Sequence, residues 1–333
     1  MTTTAPALLV LGGTAWLGHE LARQAAAAGL AVTCLARGIE GVAPQGAQFV
    51  TADRNEPDAY AAVSGRDWHM VVDVTWQPGQ ARDALAALGE RTGHWTYVSS
   101  ISAYRDPTPA GQDEEAPLLE PWPGDVATVE EYGEAKSACE AFVRNALGER
   151  ALIVRPGLIA GPGDPSDRLG YWCAAMARAT KEPVLVPDAP DNPCQVIDVR
   201  DLATWLLAAA IAGTTGAMNA VGASMPLGDV VGLCALAAGH RGDVVAASEA
   251  FLVANAVQPW AGPRSLPLWL PAADAAFFGG APAARAAAAG LGRRPLAETI
   301  ADVLTDERSR GLHRIRRAGL TRDEERELLS IMS

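Results

Sequence analysis

The apolar run Ala7–Leu11 passes straight into Gly12-Gly13-Thr14-Ala15-Trp16-Leu17-Gly18, and a helical pattern starts at once. A strand that turns into a helix through glycines leaves little choice of architecture. Without Cβ atoms, the turn can bring backbone N–H groups up to a phosphate, and the helix N-terminus adds partial positive charge there. A glycine-rich turn alone is a weak signal. Between the first strand and first helix of a βαβ unit it points to a dinucleotide pyrophosphate. Gly12, Thr14, Ala15, Trp16, Leu17 and Gly18 are the residues expected around it.

The rest of the first half supplies that unit. Short apolar runs at 31–36, 48–51, 69–74, 95–99 and 151–154 alternate with helical patterns at 16–28, 80–91 and 129–145. The runs are nearly continuous in Val, Leu and Ile, as in parallel strands covered on both faces. The expected fold is α/β: a Rossmann-type doubly wound parallel sheet with a smaller C-terminal substrate-binding domain. Residues 1–160 form the dinucleotide-binding part, with a return segment near 194–220. Residues 161–333 are mainly a cap. Within it helices are expected near 169–179 and 199–212, a strand near 184–186, pocket-lining loops over 255–282 and a helical tail over 295–331.

The chain has 333 residues, 49% hydrophobic and 20% charged, with a net charge of -12. It can bury a large core. Its acidity disfavours nucleic acid and anionic membranes as partners. The basic clusters Arg293-Arg294 and 308–317 are interleaved with acids and apolar residues, and read as solvated helix faces. Five scattered cysteines and five separated histidines form no metal pattern. The N-terminal apolar run is too short for a signal peptide or span, so cytoplasmic residence is expected.

The second strand ends Leu35-Ala36-Arg37-Gly38. An acid there would bind the ribose 2′-hydroxyl of NAD, whereas an Arg accommodates the 2′-phosphate of NADP. Arg37 therefore favours NADP(H), with NAD(H) as the alternative. Asp53, after the third strand, is a candidate for the adenine amino group or an ordinary turn residue.

Tyr132 and Lys136 lie at i and i+4 on the helix after the fifth strand, so they share a face. A tyrosine with an ordinary pKa of about 10 is a poor acid-base group. A neighbouring ammonium would lower it and let Tyr132 pass a proton at a carbonyl or alcohol oxygen, which the Ser100 hydroxyl could hold. Lys136 could also hold the nicotinamide ribose. These three are the candidate catalytic residues.

Together these features resemble the extended short-chain dehydrogenases/reductases, the class that includes the NAD-dependent epimerase/dehydratase proteins. GGTAWLG is similar to the GGTxFxG loop. The segment Tyr97 to Tyr104 resembles the strand whose catalytic Ser/Thr lies four residues before its Tyr, which again selects Ser100. Tyr132 and Lys136 match YxxxK. Arg155-Pro156-Gly157-Leu158 resembles the segment that touches the nicotinamide end, implying Pro156 and Leu158 as cofactor contacts. Residues 196–203 resemble HVDDxA, and 291–296 a C-terminal LGxxP. The resemblance also implies a homodimer formed through the helices at 80–91 and 129–145.

The departures bear on the reaction. Leu158 stands where nucleotide-sugar members carry an Asn, and Ile101-Ser102 where 4,6-dehydratases carry Asp-Glu. With Trp122, Trp172, Trp260 and Trp269 in regions expected on the substrate side, the pocket suits an apolar or aromatic small molecule. Ser102, Leu158, Arg168, Tyr171, Trp172 and Trp260 are the expected substrate contacts. The favoured function is NADPH-dependent reduction of a carbonyl, or a related C=N or C=C. A redox-neutral epimerase or dehydratase with tightly held NAD(P), and a non-catalytic NAD(P)-binding protein, are the alternatives.

Overall fold

The computed structural model describes residues 5–105, 113–275 and 279–332. Along the first half run β1 (Ala7–Leu11), α1 (Trp16–Ala27), β2 (Ala31–Ala36), β3 (Gln48–Thr51), β4 (Trp68–Asp73), α2 (Pro78–Leu88), β5 (Thr92–Val98), α3 (Tyr132–Leu147) and β6 (Ala151–Pro156). There follow β7 (Leu158–Ala160), α4 (Arg168–Arg178), β8 (Val184–Pro187), β9 (Pro193–Asp198), α5 (Val199–Ile211) and β10 (Gly216–Ala220). The remainder comprises β11 (Ser224–Pro226), α6 (Leu227–Ala238), β12 (Val244–Ala247), α7 (Glu249–Ala254), β13 (Gln258–Trp260), β14 (Ser265–Pro267), α8 (Ala284–Ala288), α9 (Leu296–Arg310) and α10 (Arg322–Met332).

Seven parallel strands form the central sheet in the order β10-β6-β5-β4-β1-β2-β3. The order reverses between β1 and β4, which opens a crevice at their C-terminal ends. Successive side chains of one strand enter opposite cores. Leu8 and Val10 of β1 pack with Leu21 of α1 and Leu206 of α5. Leu9 and Leu11 pack on the other face with Leu85 of α2 and Val143 of α3. This two-sided burial is why the strands read as unbroken apolar runs.

The second layer has its own core. Trp172 and Met176 of α4, Cys234 of α6 and Ile300 and Leu304 of α9 meet Trp269 there. Three small sheets, β11-β9-β7, β12-β8 and β13-β14, surround it. The segment 255–282 thus holds β13 and β14 and is not loop throughout.

The tail departs from one helical stretch. Helix α9 stops at Arg310, and α10 starts at Arg322. The basic cluster 308–317 was expected on solvated helix faces. Instead Arg314 bridges Asp167 and Glu307, and Arg316 pairs with Glu307 at 2.5 Å. Arg294 likewise pairs with Asp201 at 2.6 Å. Long-range ion pairs, which leave no periodic trace in sequence, decide these positions. Among the described residues no helix is long and apolar enough to cross a membrane.

Candidate active site

The crevice over β1, β2, β3 and β4 is lined by Gly12, Thr14, Ala15, Arg37, Asp53 and Thr75, among others. Gly12 has φ +93, and a Cβ there would stand 2.6 Å from Val74 Cγ2, so only glycine makes this turn. Ala15 is the N-cap of α1 and offers no side-chain capping bond. The first-turn N–H groups therefore remain available to an anion. A left-handed glycine turn, an uncapped helix start and an open crevice fit a dinucleotide pyrophosphate. Arg37 is exposed at the rim, where β2 ends. Asp53 faces the same crevice while its carboxylate accepts from Asn55 N–H at 3.0 Å, so it also closes its own turn.

Trp16, Leu17 and Gly18 stand apart from the crevice lining. The Trp16 indole donates to Pro162 O at 2.9 Å, which ties the start of α1 to the loop after β7. Leu17 packs against the core beneath α1, and Gly18 is buried in that helix. At the other end, Pro156 is a buried residue of β6.

The catalytic candidates converge. Helix α3 is preceded by a capping box in which Thr128 and Glu131 bond reciprocally. A Cβ on Gly133 would collide with Ser102 O, so this glycine lets the helix start press against the 100–102 turn. Ser100 is buried, its Oγ accepts from Ser102 N–H at 3.1 Å, and its hydroxyl donates to Ser102 Oγ at 3.1 Å. Tyr132 is half-buried, with its ring 5.7 Å from that of Trp76 at a 54° tilt.

The Lys136 ammonium is sealed behind them. It donates to Thr75 O at 2.8 Å and Val98 O at 2.6 Å, and lies 5.0 Å from the Tyr97 ring and 5.9 Å from the Tyr132 ring. Burial pushes Lys136 down to about 8. Burial also raises the Tyr132 phenol above its ordinary value, against the Ser100 hydroxyl and the charge of Arg168, which pull it down. The expectation that Lys136 lowers Tyr132 is therefore corrected. The cation that opposes burial at the phenol is Arg168, since Lys136, lowered to about 8, has lost its charge before the phenol titrates.

A deeper layer fixes this floor. Arg54 and Asp73 form a buried bidentate pair at 2.7 and 2.8 Å, and Asp73 accepts from Thr75 N–H at 3.0 Å. The Thr75 carbonyl then serves both Lys136 and the Tyr97 hydroxyl. Trp76, Thr75 and this ion pair were not among the sequence candidates. Their one signal was position: Asp73-Val74-Thr75-Trp76 closes β4, beside the strand-order reversal where such sites form.

The substrate candidates divide. Arg168 and Trp260 come together, with the guanidinium carbon 4.9 Å from the ring centre. Ser102 stays beside Ser100. Tyr171 and Trp172 are fully buried in the second core, and the Trp172 indole donates to Pro267 O at 2.8 Å, so neither reaches the cleft. Leu158 is a buried residue of β7 whose side chain packs in the same core. Trp269 is buried in the same core, and Trp122 bonds Val126 O at 2.9 Å. Among the described residues no group of three His, Cys, Asp or Glu could hold a metal ion.

No curated protein matches the sequence. Solved structures do. A putative epimerase from Burkholderia cenocepacia J2315 aligns with TM-score 0.70 at 21% identity, covering 92% of this chain and 100% of that one. The UDP-glucose 4-epimerase of Thermus thermophilus, solved with NAD, gives 0.65 at 17% identity over 91% and 99%. The Bordetella bronchiseptica enzyme WbmG, solved with NAD and UDP, gives 0.68 at 15% over 92% and 96%. At these identities the likeness establishes the fold. The family model described as NAD dependent epimerase/dehydratase matches residues 8–221, most of the chain and all of the site from the glycine turn to β10. The chain belongs to the NAD dependent epimerase/dehydratase family of enzymes.

Proposed function

We propose that the protein is an NADPH-dependent reductase of a carbonyl, or a related C=N or C=C, on a small and largely apolar or aromatic metabolite. The observation that carries this is the convergence of Ser100, Tyr132 and Lys136 at the C-terminal edge of the sheet, beside the dinucleotide crevice. The dinucleotide, when bound, supplies the hydride. Ser100 orients the substrate oxygen. Tyr132, still protonated at neutral pH, gives that oxygen its proton as the carbon is reduced. Lys136, with its pKa near 8, holds an exchangeable proton behind the phenol. Arg37 at the crevice rim supports NADP(H) over NAD(H). Leu158 and Ile101 are both buried apolar residues, so they offer no polar group for a nucleotide sugar or an elimination.

The family and its structural relatives favour a second reading. Two of the relatives named above are called epimerases, which supports a redox-neutral cycle at the same residues. The two differ in cofactor handling, because a reductase must exchange its cofactor every turnover. Purified protein should therefore release NADP(H) on dialysis and oxidise NADPH with a panel of ketones and aldehydes. Cofactor that resists dialysis, with no net oxidation of either reduced cofactor, would select the epimerase reading. Tyr132→Phe should lower turnover by roughly 10²–10⁴-fold with unchanged cofactor affinity, and normal turnover would remove Tyr132 from the chemistry.

A further inference from the structure

Arg168 has no carboxylate at ion-pair distance among the described residues. Its backbone N–H and Nε both go to Ser166 Oγ, at 3.4 and 3.2 Å, and Ser166 in turn donates to Asp164 at 2.9 Å. The two terminal nitrogens make no hydrogen bond, and Arg168 makes no ion pair, among the described residues. Burial pulls Arg168 below the ordinary arginine value, with only the nearby charges of Asp164 and Tyr132 acting the other way. Every other buried or half-buried arginine discussed above has a carboxylate partner. A desolvated guanidinium that lacks one is costly unless a ligand supplies it.

The local backbone holds this fork in place. Asp167, just before Arg168, and Trp260, under its guanidinium, are both non-glycine residues with left-handed φ, 61° and 65°. Such conformations cost free energy and persist where packing enforces them. The indole face supports the planar cation, and Ser166 ties off its inner edge. What remains unbonded is the outer edge, whose paired N–H groups match the two oxygens of an oxyanion.

We propose that Arg168 is the receptor for an anionic group of the substrate, a carboxylate or phosphate-type oxyanion close to the atom that reacts at Tyr132. The proposal rests on the catalytic reading above only for what happens at Tyr132. The substrate then has an apolar body and one charged end. Binding also has a consequence for the acid. The charge of Arg168 pulls the phenol down in the free enzyme. An anion on Arg168 opposes that pull, so Tyr132 keeps in the complex the proton it already holds in the free enzyme.

Calorimetric titration of the full chain, with NADP+ present to fill the glycine turn, tests this with benzoate, benzamide and inorganic phosphate as probes. Benzoate should bind at least about tenfold tighter than benzamide, and Arg168→Gln should weaken benzoate by about 10–100-fold while leaving benzamide unchanged. Phosphate bound more tightly than benzoate, and lost in the same variant, assigns a phosphoryl group; the reverse order assigns a carboxylate. Equal binding of benzoate and benzamide, no binding of either anion, or full anion affinity in Arg168→Gln overturns the proposal. If the Gln variant melts early, Arg168→Lys carries the test. It keeps the charge but loses the fork, so benzoate affinity should fall several-fold, and an unchanged value overturns the assignment. These are equilibrium readouts. Failure of hydride transfer with every carbonyl would sink the reductase reading and leave the anion site standing.

Discussion

Lys136 sits at the end of a four-carbon stem with its ammonium enclosed by two carbonyls and the Tyr97 ring. A buried cation of this kind loses its proton more readily than an exposed one. With Lys136 near 8 and Tyr132 raised above its ordinary value, the lysine titrates first. We expect kcat/KM for the reduced cofactor to fall above about pH 8, as the free enzyme loses the Lys136 proton. An inflection at or above the ordinary tyrosine range would assign the limiting group to Tyr132 instead. The spacing of Tyr132 and Lys136 was legible in the sequence because i and i+4 always share a helix face. The charge logic between them was not. It depends on Thr75, in the loop after β4, on Val98, at the end of β5, and on Arg168, thirty-six positions beyond Tyr132.

At the scale of elements, α3 must be held at a fixed height against β6 for Tyr132 to meet Ser100. The fastening is Glu140, one helical turn beyond Lys136, which receives two bonds from Arg155 at 2.9 and 2.7 Å. Arg155 also donates to the Tyr104 hydroxyl at 2.8 Å, and that hydroxyl donates to Asn219 of β10 at 2.7 Å. Burial acts to raise Glu140, but the bonds and charge of Arg155 outweigh it and hold its carboxyl below the ordinary value. A depressed acid stabilises the fold above its unfolded pKa, and that contribution fades as pH falls through the folded one. Glu140→Gln should therefore cost about 3–5 kcal/mol at pH 7, because it strands a buried guanidinium. The gap from wild type should begin to narrow as pH falls below the ordinary glutamate value of about 4.3 and vanish only below the lowered folded value. Denaturant melts at pH 7 and pH 3.5 measure both; a gap as large at the lower pH as at pH 7 would rule out the ion pair as its source.

The elements themselves were largely readable. Strands buried on both faces announce themselves as apolar runs, and β1, β2 and β3 fall where those runs do. What could not be read was which face of an apolar helix turns inward. Tyr171 and Trp172 lie one helical turn after Arg168, and nothing in the local pattern separates the residue at the cleft from its neighbours in the core. The packing of α9, α6 and β14 against α4 decides it.

For the whole molecule, the question is how two hydrophobic cores unfold as one. Helix α5 packs on α1 under the sheet, whereas α9 packs on α4 and α6 in the second layer. The junction is Asp198, at the end of β9. Its carboxylate accepts from the Arg200 backbone at 2.8 Å, from the Arg200 side chain at 2.9 and 2.7 Å, and from Thr299 of α9 at 2.8 Å. Arg200 reaches on to Asp302 of α9 at 2.6 Å. Burial acts to raise Asp198, but its bonds to Arg200 and Thr299 keep it below the ordinary value. Removing this carboxylate leaves Arg200, itself partly exposed, with one exposed acid and Thr299 with none, at a cost of about 1–3 kcal/mol. We expect Asp198→Ala to split a single melt into two. A ligand stabilises only what it binds, so NADPH should then shift the transition of the sheet layer and not that of the second layer. Calorimetry with and without cofactor gives the answer. A variant that still melts in one ligand-dependent transition would place the coupling in the apolar contact between the layers, and not in the ion network at β9.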